Sequence, residues 1–153
     1  MLRLSKKSDY ALMSMKHLAT RPGDAGAASA REIAEAYSIP LDLLAKVLQQ
    51  LVRQHLLVSV QGTRGGYRLA RTPDAITVAD IVQAMDGPFS VTACSPDDHA
   101  CDQYSTCSIR DPLWKIRNRI FQTLNDVTLA EMAGDAVPEP GMSRLTFVGS
   151  RPS

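Results

Sequence analysis

The strongest constraint on how this 153-residue chain folds lies between residues 29 and 69, where one hydrophobic period gives way to another. Ser29-Ala30-Arg31-Glu32 has the S-x-x-E form of a helix start, in which the end residues satisfy each other's orphan amides. Ile33, Ala34 and Tyr37 follow at helical spacing, and Ser38-Ile39-Pro40 reads as a turn. Leu41 to Gln54 predicts a longer helix, with Leu41, Leu44, Leu48 and Leu51 along one face. Its other side carries Asp42, Lys46, Gln49, Gln50 and Arg53. A short capped helix, a tight turn and a longer helix with a polar outer face form a helix-turn-helix. The period then changes: Leu57-Val58-Ser59-Val60 and Tyr67-Arg68-Leu69 are β-prone and flank Gln61-Gly62-Thr63-Arg64-Gly65-Gly66, rich in residues that tolerate positive φ. A hairpin directly after the third helix makes a winged helix. The predicted fold is mainly α with a small β-hairpin wing.

The flanking segments complete that unit. Leu12, Met15, Leu18 and Ala19 give residues 9–19 an amphipathic first helix, broken by Arg21-Pro22-Gly23-Asp24, with a short loop to Ala28. Thr77-Val78-Ala79-Asp80 caps a short helix with Val78, Ile81, Val82 and Met85, ended by Gly87-Pro88. Residues 89–110 show little periodicity and read as a loop. From Pro112, a good first-turn residue, a long helix is expected to run to about Met132 with a stripe of Leu113, Ile116, Ile120, Leu124 and Val127. From Gly134 onward Gly, Pro and Ser point to a disordered tail. The predicted organisation is a winged helix over 1–87, a cysteine-containing loop over 88–110, a helix over 111–132 and a tail over 133–153.

Charge is segregated along the chain. Residues 1–71 hold 11 Lys/Arg against 5 Asp/Glu, and residues 72–153 hold 6 against 11. A basic first half is expected to be the part that meets a polyanion. No apolar run approaches the roughly 18 residues needed to span a bilayer, and Asp9, Lys16 and His17 interrupt any secretory signal. A soluble, cytoplasmic protein with no membrane partner is expected.

These features assign a double-stranded DNA surface. Asp42, Lys46, Gln49 and Gln50 are placed to read base edges in a major groove. Arg64, beside Gly65 at the hairpin tip, could enter the adjacent minor groove, while Arg3, Lys6, Lys7, Arg53 and Arg68 could meet phosphates. A winged-helix protein-interaction module is the alternative, and the basic first half favours DNA. Gly65-Gly66 do not form a phosphate-binding loop, because such loops lead from a strand into a helix and these lead into another strand. No nucleophile–base pair or substrate pocket is visible, so neither an enzyme nor an electron carrier is expected.

Cys94, Cys101 and Cys107 all lie within fourteen residues. An odd count without an export signal argues against a disulfide framework. The gaps are too wide for a zinc knuckle, which prefers two-to-four-residue spacings and four ligands. Three thiolates from one loop suit an iron–sulfur cluster, with zinc or a free or disulfide-switching thiol set as the other readings. His99 and Asp102 lie inside the loop as further candidate ligands, whereas His17 and His55 read as structural or solvent-facing.

Four stretches are similar to the Rrf-two family of bacterial winged-helix regulators: Leu2-Arg3-Leu4-Ser5 with Asp9-Tyr10-Ala11, Arg31-Glu32-Ile33-Ala34, Gly62-Thr63-Arg64-Gly65-Gly66-Tyr67, and the three cysteines before the long helix. The Leu124-Asn125-Asp126-Val127-Thr128-Leu129 segment resembles the end of that helix in the family. The resemblance covers about residues 1–132, and the opening Met1-Leu2-Arg3-Leu4-Ser5-Lys6 is most similar to regulators of SUF iron–sulfur assembly genes. It implies a homodimer with crossing long helices, each subunit holding a cluster through Cys94, Cys101 and Cys107 near the partner's first helix. One branch places a ligating His three residues after the last Cys, where this chain has Arg110, which cannot ligate iron. The nitric-oxide-sensing branch has an Asp at the position of Asp9 that reaches across the dimer, which favours [4Fe–4S] over [2Fe–2S]; a plain helix-dipole role for Asp9 is the alternative. Asp42, Leu43 and Ala45 stand where the His-ligated branch carries Ser, Tyr and Glu, so base preferences are expected to differ. The implied function is a cluster-sensing repressor of iron–sulfur assembly genes. The alternatives are a nitric-oxide or redox-responsive repressor of other genes, and a zinc or thiol-switch regulator.

Overall fold

The computed structural model describes residues 3–21, 26–92 and 101–134. Helix α1 (Lys6–Ala19) begins at Ser5, whose hydroxyl accepts from the Ser8 amide at 3.1 Å. The cap therefore starts the helix three residues before the apolar pattern does. Its inner face is Ser8, Ala11, Ser14, Met15 and Leu18. Both buried hydroxyls are satisfied: Ser14 donates to the Tyr10 carbonyl at 2.8 Å and Ser8 to Asp86 Oδ2 at 2.7 Å.

Helix α2 (Ala30–Tyr37) keeps half of its expected capping box. Ser29 accepts from the Glu32 amide at 3.1 Å, but the Glu32 carboxylate turns away to the Arg21 guanidinium and lies 3.7 Å from His17 Nε2. His17 also meets the Tyr37 hydroxyl through Nδ1 at 3.1 Å, which makes it structural. Ser38 adopts a left-handed conformation at φ 53°, Ile39 is buried, and Pro40 leads into helix α3 (Leu41–Arg53). The buried face of α3 is Leu44, Val47, Leu48 and Leu51. Leu41, expected inside, is exposed because residues 41–43 project beyond the core, so Val47 takes its place.

Strands β1 (Leu57–Val60) and β2 (Gly66–Leu69) pair antiparallel, Leu57 opposite Leu69 and Val60 opposite Gly66. The wing is also tied to the segment before α2, expected to be only a loop. The Ala28 amide donates to the Tyr67 carbonyl at 3.0 Å, and the Tyr67 amide returns a bond to Ala28 at 2.8 Å. A 3-10 turn at Pro73–Ala75 precedes helix α4 (Val78–Asp86), whose Thr77/Asp80 capping box is complete.

Helix α5 (Arg110–Asp126) is followed by a separate helix α6 (Leu129–Gly134), not by the single helix to Met132 that the stripe implies. Thr128 ends the first and caps the second: its hydroxyl accepts from the Glu131 amide at 3.1 Å, and Glu131 accepts from the Thr128 amide at 2.8 Å. The break also feeds a backbone bridge to the start of α4, Val78 amide to Val127 carbonyl at 2.9 Å and Leu129 amide to Ile76 carbonyl at 2.8 Å. Met15, Ile33, Leu44, Leu48, Leu51, Leu56, Leu57, Ile76, Ile81 and Leu129 form the fully buried core, each contributing about 1.5–3 kcal/mol of burial. Helix α1 packs on α3, α4 and α6; α5 packs on α4 and has no buried residue. Among the described residues no helix is long and apolar enough to cross a membrane. The expected tail lies outside the described residues from 135 onward.

Candidate nucleic-acid interface and cysteine site

Asp42, Lys46, Gln49 and Arg53 are exposed on α3. Spaced by four, three and four residues, they line one outer stripe, opposite the leucines that seat the helix. Gln50 stands apart from them. It is half-buried, and its Nε2 donates to the Ala84 carbonyl of α4 at 3.3 Å, so it fastens α3 to α4 rather than facing outward.

Gln49, Val52 and Arg53 of α3, with Ser59 and Tyr67 of the wing, line a cleft of about 290 Å³. Helix and hairpin thus present one continuous surface. Arg64 is exposed at the tip. Gly65 is a requirement of the turn: its amide donates to Gly62 at 3.0 Å, and a Cβ there would strike the Val60 carbonyl. Arg68 is exposed and alternates with Tyr67, which puts it on the ribbon face away from the cleft.

Cys101 and Cys107 are both free thiols and half-buried, flanking a turn closed by the Tyr104 amide on the Cys101 carbonyl at 3.0 Å and the Thr106 amide on Gln103 at 3.1 Å. Cys101 Sγ lies 3.6 Å from Gln103 Oε1. Asp102 is exposed on the same turn; Cys94 and His99 lie outside the described residues. Arg110 donates to the Tyr104 carbonyl at 2.8 Å and to Asp111 at 3.0 Å, and it packs over the Tyr104 and Trp114 rings. Its hydrogen bond to Asp111 raises its pKa most, partial burial opposes, and the charges of Asp111, Tyr104 and Cys107 add to the rise.

Asp9 sits in the first turn of α1, 3.8 Å from Lys6 Nζ. With Arg3, Phe89, Ile120 and Leu124 it lines an open cleft of about 1280 Å³ between the start of α1, the end of α4 and α5. Among the described residues no three His, Cys, Asp or Glu side chains form a metal-holding group, so Asp9, Cys101 and Cys107 do not make one within a single chain. His55 is exposed at φ 60°.

A model of the Rrf2 family, described as an iron-dependent transcriptional regulator, matches residues 4–135. The chain belongs to the Rrf2 family. IscR of Sodalis glossinidius is 33% identical over 135 residues, covering 88% of this chain and 80% of that protein. CymR, the global cysteine regulator of B. subtilis, superposes with a TM-score of 0.71 at 31% identity, over 89% of this chain and 99% of that one. The IscR structure from T. potens gives 0.69 at 30% identity, over 94% and 93%. This Rrf2 protein is thus a winged-helix, DNA-binding transcriptional regulator, and its relatives are regulators rather than enzymes.

Three contacts of this Rrf2 protein are not legible in its sequence: the Ala28–Tyr67 bridge, the Gln50 tie to α4 and the Arg110 stack. The Ala28–Tyr67 bridge carried no local signal, since an Ala/Gly run does not announce a strand. Gln50 has the same polarity as its exposed neighbours; only its angular offset from the 42/46/49/53 stripe could have separated it. The aromatics on either side of Arg110, Tyr104 and Trp114, are the one sequence clue to its stacking role.

Proposed function

We propose that this regulator is a homodimeric repressor of SUF-type iron–sulfur assembly genes whose DNA binding follows the state of an iron–sulfur cluster. The observation that carries the reading is the pair of free, half-buried thiols of Cys101 and Cys107 on a turn fastened to α5. Thiolate is the donor such clusters need, and a neighbouring guanidinium offsets anionic charge. Cys94, Cys101 and Cys107 would hold the cluster, with Asp9 of the other protomer as the fourth group and [4Fe–4S] as the favoured form. When bound, the cluster supplies sensitivity to oxidants, nitric oxide and iron supply. The family's iron-dependent description and the likeness to IscR support this reading.

At the duplex, Asp42, Lys46 and Gln49 read the major groove, Arg64 enters the minor groove, and Arg3 and Arg53 meet phosphates, while Arg68, on the other ribbon face, is left out of this contact set. Two-fold symmetry calls for half-sites about one helical turn, or a multiple of it, apart. A second reading, a cluster-free thiol switch, is favoured by the likeness to CymR, also solved from Staphylococcus aureus in an oxidised form at 26% identity. Iron and acid-labile sulfide are measured in protein purified without air, with Cys101→Ala beside it. Coloured, iron-containing wild type and colourless Cys101→Ala protein are expected. Iron-free protein whose promoter affinity changes on thiol oxidation would establish the switch instead.

A further inference from the structure

Arg110 joins the cysteine turn to α5. Its Nη1 donates to the Tyr104 carbonyl oxygen at 2.8 Å and its Nε to Asp111 Oδ1 at 3.0 Å. The guanidinium carbon lies 4.5 Å from the centre of the Tyr104 ring and 5.5 Å from that of Trp114, both within cation–π range. Tyr104 belongs to the turn between the two described cysteines, and Trp114 lies one turn into α5. A planar cation with several donors can stack on rings and hydrogen-bond in its own plane, which an ammonium cannot.

Helix α5 is in turn fastened at both ends of α4. Arg117 Nε donates to the Phe89 carbonyl at 2.8 Å, just past α4, and the Val127 carbonyl accepts from Val78 at its start. Gln50 then links α4 to α3, the helix with the outward polar stripe. Each step is a directional bond between neighbouring elements, and α4 is in contact with both α5 and α3.

We propose that Arg110 is a positioning residue, a planar latch that makes α5, and through α4 the recognition helix, follow the state of the cysteine turn. A change at Cys101 or Cys107 moves the Tyr104 carbonyl and ring, and the cation re-seats against Trp114. Arg110 contacts neither DNA nor cofactor in this role. The inference rests on the reading that the cysteines control DNA binding.

Trp114 is the single tryptophan of the chain and reports on the latch directly. The test compares the wild-type 153-residue chain, Arg110→Gln and Arg110→Lys, each with free thiols and after alkylation by N-ethylmaleimide. The probe is a duplex selected from a random pool by the free-thiol wild type. Three results are expected. Acrylamide quenching of Trp114 rises in Arg110→Gln while far-ultraviolet circular dichroism is unchanged. Alkylation changes wild-type DNA affinity about fivefold or more. That ratio falls toward one in both variants, while their free-thiol affinity holds. Unchanged quenching in Arg110→Gln, or a wild-type ratio kept by either variant, overturns the latch. If alkylation leaves wild-type affinity unaltered, the control of DNA binding by the cysteines fails first and the latch falls with it.

Discussion

At the scale of single residues, two positions show how close contacts were settled by atoms rather than by patterns. Gly66 begins β2 at φ 149°, where an added Cβ would collide with the Ala28 carbonyl and come within 2.8 Å of the Ser29 nitrogen. Only glycine lets the wing approach the segment before α2. Gly66→Ala is expected to destabilise the fold by about 1–3 kcal/mol, read as a lower urea midpoint. Asp86 shows the electrostatic counterpart. It ends α4 yet lies over the start of α1, where Ser8 donates to it. Burial pushes its carboxyl up, but hydrogen bonds from Ser5 and Ser8 and the Lys7 charge outweigh that and hold it below the ordinary value. The folded pKa lies under the unfolded one, so this contribution is present above the ordinary carboxylate range and lost as pH falls through the folded pKa, below about pH 4. Asp86→Asn should flatten the acid limb of a stability–pH profile. Since the group is exposed, the effect is expected to stay under about 1 kcal/mol.

At the scale of elements, helix starts decide the architecture. Thr77 and Thr128 face each other across a short antiparallel bridge, and each caps a helix that leaves it. The second cap interrupts an apolar stripe that would otherwise run on from α5. A Thr-x-x-Glu sequence at 128–131 carried that signal, and a continuous stripe masked it. The interruption is useful to the fold because it turns Leu129 fully into the core. Thr128→Ala is expected to cost about 1 kcal/mol and Thr128→Ser little; thermal unfolding distinguishes them. The expected half of the Ser29 box failed for a related reason: Glu32 found a guanidinium nearby, a stronger partner than a backbone amide.

At the scale of the whole molecule, α5 is the element that one chain does not finish. Its seventeen residues include none that is buried, and Ile116 is 46% exposed although it sits in the apolar stripe. In the homodimer proposed above, a second copy covers that face. The 153-residue chain is expected to sediment at twice its 16.6 kDa. Ile116→Glu should shift it toward monomer and weaken operator binding by about 10²-fold or more, through loss of bivalency. Unchanged sedimentation of that variant would place the contact elsewhere.

The sequence by itself determined the element order through the wing, the polar stripe of α3 and the clustering of the thiols. Helical period, hydroxyl caps and positive-φ turns are local, and local chemistry is written in neighbouring residues. Only the tertiary structure decided that Gln50 fastens α3 to α4, that Ala28 pairs with the wing, and that Arg110 binds the cysteine turn to α5. It also decided that Val47, not Leu41, fills the core. Those outcomes depend on which distant group arrives within about 3 Å, and directional bonds of that range carry no period along the chain.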